Sequence, residues 1–265
     1  MVKKTPKKPT AAPSKNVAPE RMSLAEVMAT LEAAGSAQTR KTYARHGATE
    51  PMFGVSFATL KVLTKRIKVD HELALALWDT GNLDARNLAV KIVEPARLTS
   101  AELDRWARDG SARHVSGGYA AMLAAETPHG IAKADKWLGS KDTRLRVGGW
   151  MLLAQLAQRD EATPDAFFAT RLAEIERTIH AAPSPEREVM NLAVISIGLR
   201  SAGLRKAALA AAKRIGKVDV DHGETACQTS DAAESIQETW AHSTAKGFDS
   251  PAAHERSRER PRRRC

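Results

Sequence analysis

The sequence predicts an all-α protein, a solenoid of stacked antiparallel helix pairs. Aromatic residues make up only 5% of the 265 residues while alanine and leucine abound, a balance that favours helix over sheet. Apolar residues recur at helical spacing through most of 22–215. No stretch alternates with period two, and no Asn-Gly turn joins β-branched runs.

The elements follow in order. Ser23 is placed to cap LAEVMATLEAAG, where Leu24, Val27, Met28 and Leu31 share a face and Gly35 ends the helix. A short helix carrying Arg40, Lys41 and Arg45 leads to a connection broken by Gly47, Pro51 and Gly54. From Ser56 a helix turns Leu60, Leu63 and Ile67 inward and Lys61, Lys65, Arg66 and Lys68 outward. HELALALWDTG and LDARNLAVKIVE come next, stopped by Gly81 and Pro95, and Ser100 caps AELDRWARDG. Residues 113–125 and IAKADKWLGS extend the series, and Asp142 is the N-cap of TRLRVGGWMLLAQLAQ. TPDAFFATRLAEIERTIHA, EREVMNLAVISIGLR and a last helix from Leu204 to about Ile215 complete it. Leu60, Leu63, Trp78, Leu88, Ile92, Leu152, Leu153, Leu192 and Ile195 are the expected core. DARNLAVKIVE, DTRLRVGGWMLLAQL and REVMNLAVISIGL each set a charged turn before a small-and-apolar helix, a repeat compatible with degenerate HEAT-type units.

The net charge of +10 sits mostly at the ends. Residues 1–21 hold six Lys/Arg against Glu20 alone and read as a disordered basic arm. The folded domain is expected over 22–240, and 241–265 as a disordered basic tail ending in RSRERPRRRC. No apolar run reaches the roughly 18 residues of a membrane span, and no apolar core follows the N-terminal lysines as in a secretory signal. Two cysteines make no disulfide framework. A soluble, cytoplasmic monomer is the expectation.

Two basic clusters stand out. Lys141, Arg144 and Arg146 crowd the first turn of the helix from Asp142, where the macrodipole disfavours cations, so an outside phosphate or acids of a neighbouring helix must offset them. Arg200, Arg205, Lys206, Lys213, Arg214 and Lys217 have no acid between them, which points to a phosphate-binding edge. Trp150, one turn from Arg146, is the best-placed tryptophan to stack on sugar or base. Gly148 and Gly149 would let a backbone or ligand approach. No metal or cofactor is expected: His222 and Cys227 fall short of any zinc pattern, and no HExxH, CxxC pair or phosphate loop occurs.

RHGATEPMFGVSFATLKVLTKRI followed by HELALALWDTGNLDARNLAVKIVEPARLT resembles the DNA alkylation repair glycosylases of the AlkD-like type, over roughly residues 40–215. The resemblance implies a HEAT-like repeat fold wrapping double-stranded DNA and excision of N3- or N7-alkylated purines, leaving abasic DNA. It assigns the family's backbone-gripping arginine to Arg146, so Arg146→Ala should weaken DNA binding with little effect on stability. The family's Trp-x-x-x-Asp pair has no counterpart: in DGSARHVSGGYA, Arg113 and Gly117 occupy its slots, with Gly118 one residue on. Asp109 is the remaining catalytic candidate, and Asp104 lies further off. A glycosylase using such a carboxylate, a non-catalytic relative that binds damaged DNA and a protein-binding scaffold are all compatible with these residues. The DNA readings place the protein at the nucleoid.

Overall fold

A computed structural model describes residues 21–49, 51–109 and 115–258, the last segment without the side chains of 115–117. Its helices are α1 (Leu24–Ala33), α2 (Ala37–Arg45), α3 (Phe57–Ile67), α4 (His71–Asp79), α5 (Leu83–Ile92), α6 (Ser100–Asp109) and α7 (Val115–Ala125). They continue with α8 (Gly130–Leu138), α9 (Thr143–Arg159), α10 (Asp165–Thr178), α11 (Ser184–Gly198), α12 (Ala202–Ile215), α13 (Ala232–Ala245) and α14 (Pro251–Arg256). Strand is absent among the described residues. Ser23, Ser56 and Asp142 cap where the sequence places them, but Ser100 does not: it opens α6 itself, and Thr99 accepts the Glu102 backbone N–H at 3.2 Å while Glu102 accepts the Thr99 N–H at 2.7 Å. Ser23 and Glu26 make a reciprocal box, and Asn82, Asp142, Ser201 and Asp231 each accept a backbone N–H of the following turn.

From α3 onward the helices stack in two rows. Within the odd row, α3, α5, α7, α9, α11 and α13 each touch the next. The even row, α4 to α12, packs behind it. Trp78, Trp106 and Trp137 are fully buried, with Trp78 and Trp106 stacked at 4.0 Å between α4 and α6. Gly148 and Gly149 admit α8 rather than a ligand: a Cβ on Gly149 would lie 3.0 Å from Leu138.

Each neighbouring pair in the even row is joined by an acid on the earlier helix and a cation on the later. Asp79 meets Arg105, Asp104 meets Lys133 and Lys136 at 2.7 and 2.6 Å, Asp135 meets Arg171, and Glu176 meets Arg214. Asp104 is the buried rung. Burial pushes its carboxyl pKa up, but hydrogen bonds from Lys133, Lys136 and Trp137 outweigh burial and hold it at about 2, below the ordinary 3.8. A carboxylate depressed on folding stabilises the protein above the ordinary value and loses that contribution as pH falls toward its folded pKa. About 2 kcal/mol is at stake between pH 4 and 2. The stability gap between the protein and Asp104→Asn should therefore narrow across that window in acid-titrated urea unfolding. A constant gap would contradict the account.

Two further expectations need correction. The folded domain does not stop at 240: α13 runs past Trp240, whose Nε1 donates to the Gly198 carbonyl at 2.8 Å. Ser250 then caps α14, whose Pro251 and Ala252 are buried and which packs on α9. The arm at 1–20 and the run 259–265 lie outside the described residues. Leu192 and Ile195 are only half-buried, because α11 turns Val189, Ala193, Val194 and Ile197 to the core instead. The other seven predicted core residues are buried.

Candidate nucleic-acid interface

The turn into α9 was the strongest candidate, and its chemistry is mostly internal. Asp142 accepts the Arg144 backbone N–H at 2.9 Å and two guanidinium contacts at 3.2 and 3.0 Å. That pairing lowers the Asp142 pKa and raises that of Arg144. Arg146 spends its donors inside the chain. Its Nε donates to both Glu186 carboxylate oxygens at 3.0 Å, Nη1 donates to the Ser140 and Lys141 carbonyls at 3.0 Å, and Nη2 donates to Thr143 and lies 2.9 Å from Glu186 as an ion pair. Trp150 Nε1 donates to the same Glu186 at 3.2 Å from a buried ring, so it offers no stacking face. Arg146 thus locks α9 to α11 instead of reaching outward. Lys141 remains exposed, and Arg113 lies outside the described residues.

The second cluster is partly neutralised, its Arg200 and Arg214 by acids of α10 that the local sequence does not show. Arg200 is buried, stacked on Phe168 at 4.4 Å, bound to Asp165 at 2.8 Å and to the Ala157, Asp160 and Thr163 carbonyls, so it staples the α9–α10 turn. Arg205 lies over the Trp240 ring at 4.8 Å. Arg214 makes a two-pronged pair with Glu176, and Lys217 sits near Asp219 at 3.4 Å. Glu176 and Asp165 both come from α10 or its first turn. Lys206 and Lys213 stay exposed, with no ion pair to a described residue.

Asp109 is held as well. It accepts Trp78 Nε1 at 2.8 Å, with Arg86 Nη2 at 3.6 Å, while Arg86 Nη1 donates to its carbonyl. Arg86 lies 5.1 Å over the Trp78 ring, and burial lowers its pKa against the pull of Asp109. Gly117 and Gly118 fall in the first turn of α7, and a Cβ on Gly118 would meet only Met151 at 3.7 Å. Neither α7 nor α9, the paired central helices of the odd row, contains an Asp or Glu. His222 bonds Thr229 in the segment between α12 and α13, and among the described residues no group of three metal-ligating side chains forms.

The profile of the DNA alkylation repair enzyme family matches residues 27–236. Uncharacterized proteins of Listeria innocua and Listeria monocytogenes are each 26% identical over 213 residues, covering 78% of this chain and 92% of theirs. A solved structure is 31% identical with a TM-score of 0.74, over 84% of this chain and 95% of its own. It is described as one of a new family of proteins related to the HEAT-like repeat DNA glycosylases, with affinity for branched DNA structures. The all-helical, HEAT-like reading of the fold therefore stands.

Proposed function

The chain belongs to the DNA alkylation repair enzyme family, and from that premise we propose that it binds distorted or branched duplex DNA without excising a base. One observation carries this reading: α7 and α9 meet at the centre of the odd row without a single carboxylate. Release of an alkylated purine leaves oxocarbenium character on the sugar, and a carboxylate is the group that would stabilise it. Asp109, the nearest alternative, is committed to Trp78 and Arg86. The 31%-identical structure described as having affinity for branched DNA supports the same ligand class. Alkylated and abasic duplexes belong to that class as distorted helices, recognised by shape and backbone.

Fluorescence anisotropy over a salt series tests it, using a four-way junction and a linear duplex of matched length. Affinity should fall linearly with salt on a log–log plot and favour the junction. The chain trimmed to 21–258, which keeps α14, should retain that preference. Complete loss of binding on trimming would assign the activity to the basic tails. No binding by either form would contradict the DNA reading.

A further inference from the structure

Besides Lys141, Lys206 and Lys213, which are scattered, a dense group of cations without an ion pair lies beside the start of the odd row, on α2 and α3, with Arg66 alone in electrostatic reach of an acid, Glu26. α2 exposes Arg40, Lys41 and Arg45, and α3 exposes Lys61, Lys65 and Arg66, with Lys68 at its C-cap. Neither helix contains an acid, and none of these cations forms an ion pair with a described residue. That sets them apart from the even row, where each rung matches cation to carboxylate. Like charges four apart on a helix, as at Lys41 and Arg45 or Lys61 and Lys65, repel. A terminal repeat that needed only solubility would mix signs. The other end of the row has the opposite character: residues 218–245 hold six acids and no Lys or Arg.

The two helices form one platform. Ser36 N donates to the Gly54 carbonyl at 3.0 Å, Tyr43 Oη to the Val55 carbonyl at 2.6 Å, and Tyr43 meets the Phe57 ring at 6.0 Å. Gly54 is required there, since at φ 80° a Cβ would fall 2.5 Å from Arg40. Beneath, Asp84 takes the backbone N–H groups of Phe53, Gly54 and Val55. Helical spacing sets Phe57, Lys61, Lys65 and Lys68 on one stripe. Phe57 is 43% exposed, so its ring offers a free face at the N-terminal end of that stripe. Lys68 is, among the described residues, the one non-glycine residue with positive φ, at 65° with ψ −125°. Glycine would relieve that strain, so lysine at this position costs stability.

We infer that α2 and α3 form a phosphodiester-binding surface that grips one arm of a branched duplex, with Phe57 stacking on a base-pair face exposed at the branch point. The inference rests on the reading of the ligand as DNA and adds where it is held. Charge selects the backbone, and an exposed ring is a sequence-tolerant platform for such a face. The apolar side chains exposed on α3 are single residues among lysines, not the continuous face that inserts into a lipid surface.

The test uses the full chain and three variants, with the junction and linear duplex as probes. Lys61→Ala/Lys65→Ala should reduce the log–log salt slope on both DNAs by about 2, with thermal unfolding unchanged or higher. Lys68→Gly should melt about 2–4 °C higher yet bind both DNAs more weakly, a pairing that a structural role would not give. Phe57→Ala should lower junction affinity at least tenfold and leave the linear duplex nearly unaffected. Wild-type slopes in all three variants would overturn the surface while leaving DNA binding intact. No DNA binding by the wild-type chain would remove both. Cosedimentation with phosphatidylglycerol vesicles, lost in Lys61→Ala/Lys65→Ala while DNA affinity is kept, would overturn it in favour of a membrane surface.

Discussion

Asp84→Ala should lower unfolding stability by about 4 kcal/mol. The carboxylate is fully buried, and three backbone N–H groups donate to it at 2.6, 2.9 and 2.8 Å from Phe53, Gly54 and Val55. Removing one partner of a buried hydrogen bond strands the other, at about 1–3 kcal/mol each, and partial movement of the loop recovers some of that. The loss is a large share of the roughly 5–15 kcal/mol that holds a domain folded. Asp84→Asn should fall between, since its amide keeps one acceptor oxygen and turns a donor toward donors. Urea unfolding of the three proteins measures this directly. A loss under about 1 kcal/mol for alanine would mean that the 53–55 connection is not held by the carboxylate.

The second large effect is at Arg146, and its sign is opposite to the sequence-based expectation. Arg146→Ala leaves Glu186, 7% exposed at its side chain, without its cation and removes the tie between the 140–143 turn and α11. Breaking one partner of a buried pair costs about 3–5 kcal/mol; Arg146 is itself 24% exposed, so the lower end, about 3 kcal/mol, is expected. Lysine should rescue little, because a point charge cannot satisfy the carboxylate and three oxygen acceptors together. Adding Glu186→Gln should cost less than the two single changes summed, since they share one network. DNA affinity, measured where both proteins are folded, should stay near that of the wild type. A tenfold weaker complex with unchanged melting would return Arg146 to the interface.

These two sites show what the sequence could and could not convey. Helix positions and caps were legible because they depend on neighbours two to four residues apart, as at Ser23 and Glu26 or Asp142 and Arg144. The fate of each cation was not, because its partner lies one repeat away. Arg146 meets Glu186 across 40 positions, Arg200 meets Asp165 across 35, and Arg214 meets Glu176 across 38. An acid-free stretch of sequence therefore looked like an open basic edge when α10 supplied the acids. The spacing itself was the missed signal, since the even row repeats an acid-to-cation step of 26 to 38 residues. α13 escaped notice because Ile236, Trp240 and Ser243 are its whole buried face, too sparse to stand out from a polar tail. On α2 and α3 the outward lysines were readable, but their lack of ion pairs depends on where acids of other helices lie, which the local sequence does not show.

The central claim, DNA binding without excision, is tested most directly by single-turnover base release. Duplex bearing N7-methylguanine is held under saturating protein, with occupancy confirmed by anisotropy in the same tube. The account predicts full occupancy and a release rate equal to that of the free DNA. Release well above that rate, abolished by Asp109→Asn in a protein that still binds, would contradict it and make Asp109 the catalytic carboxylate.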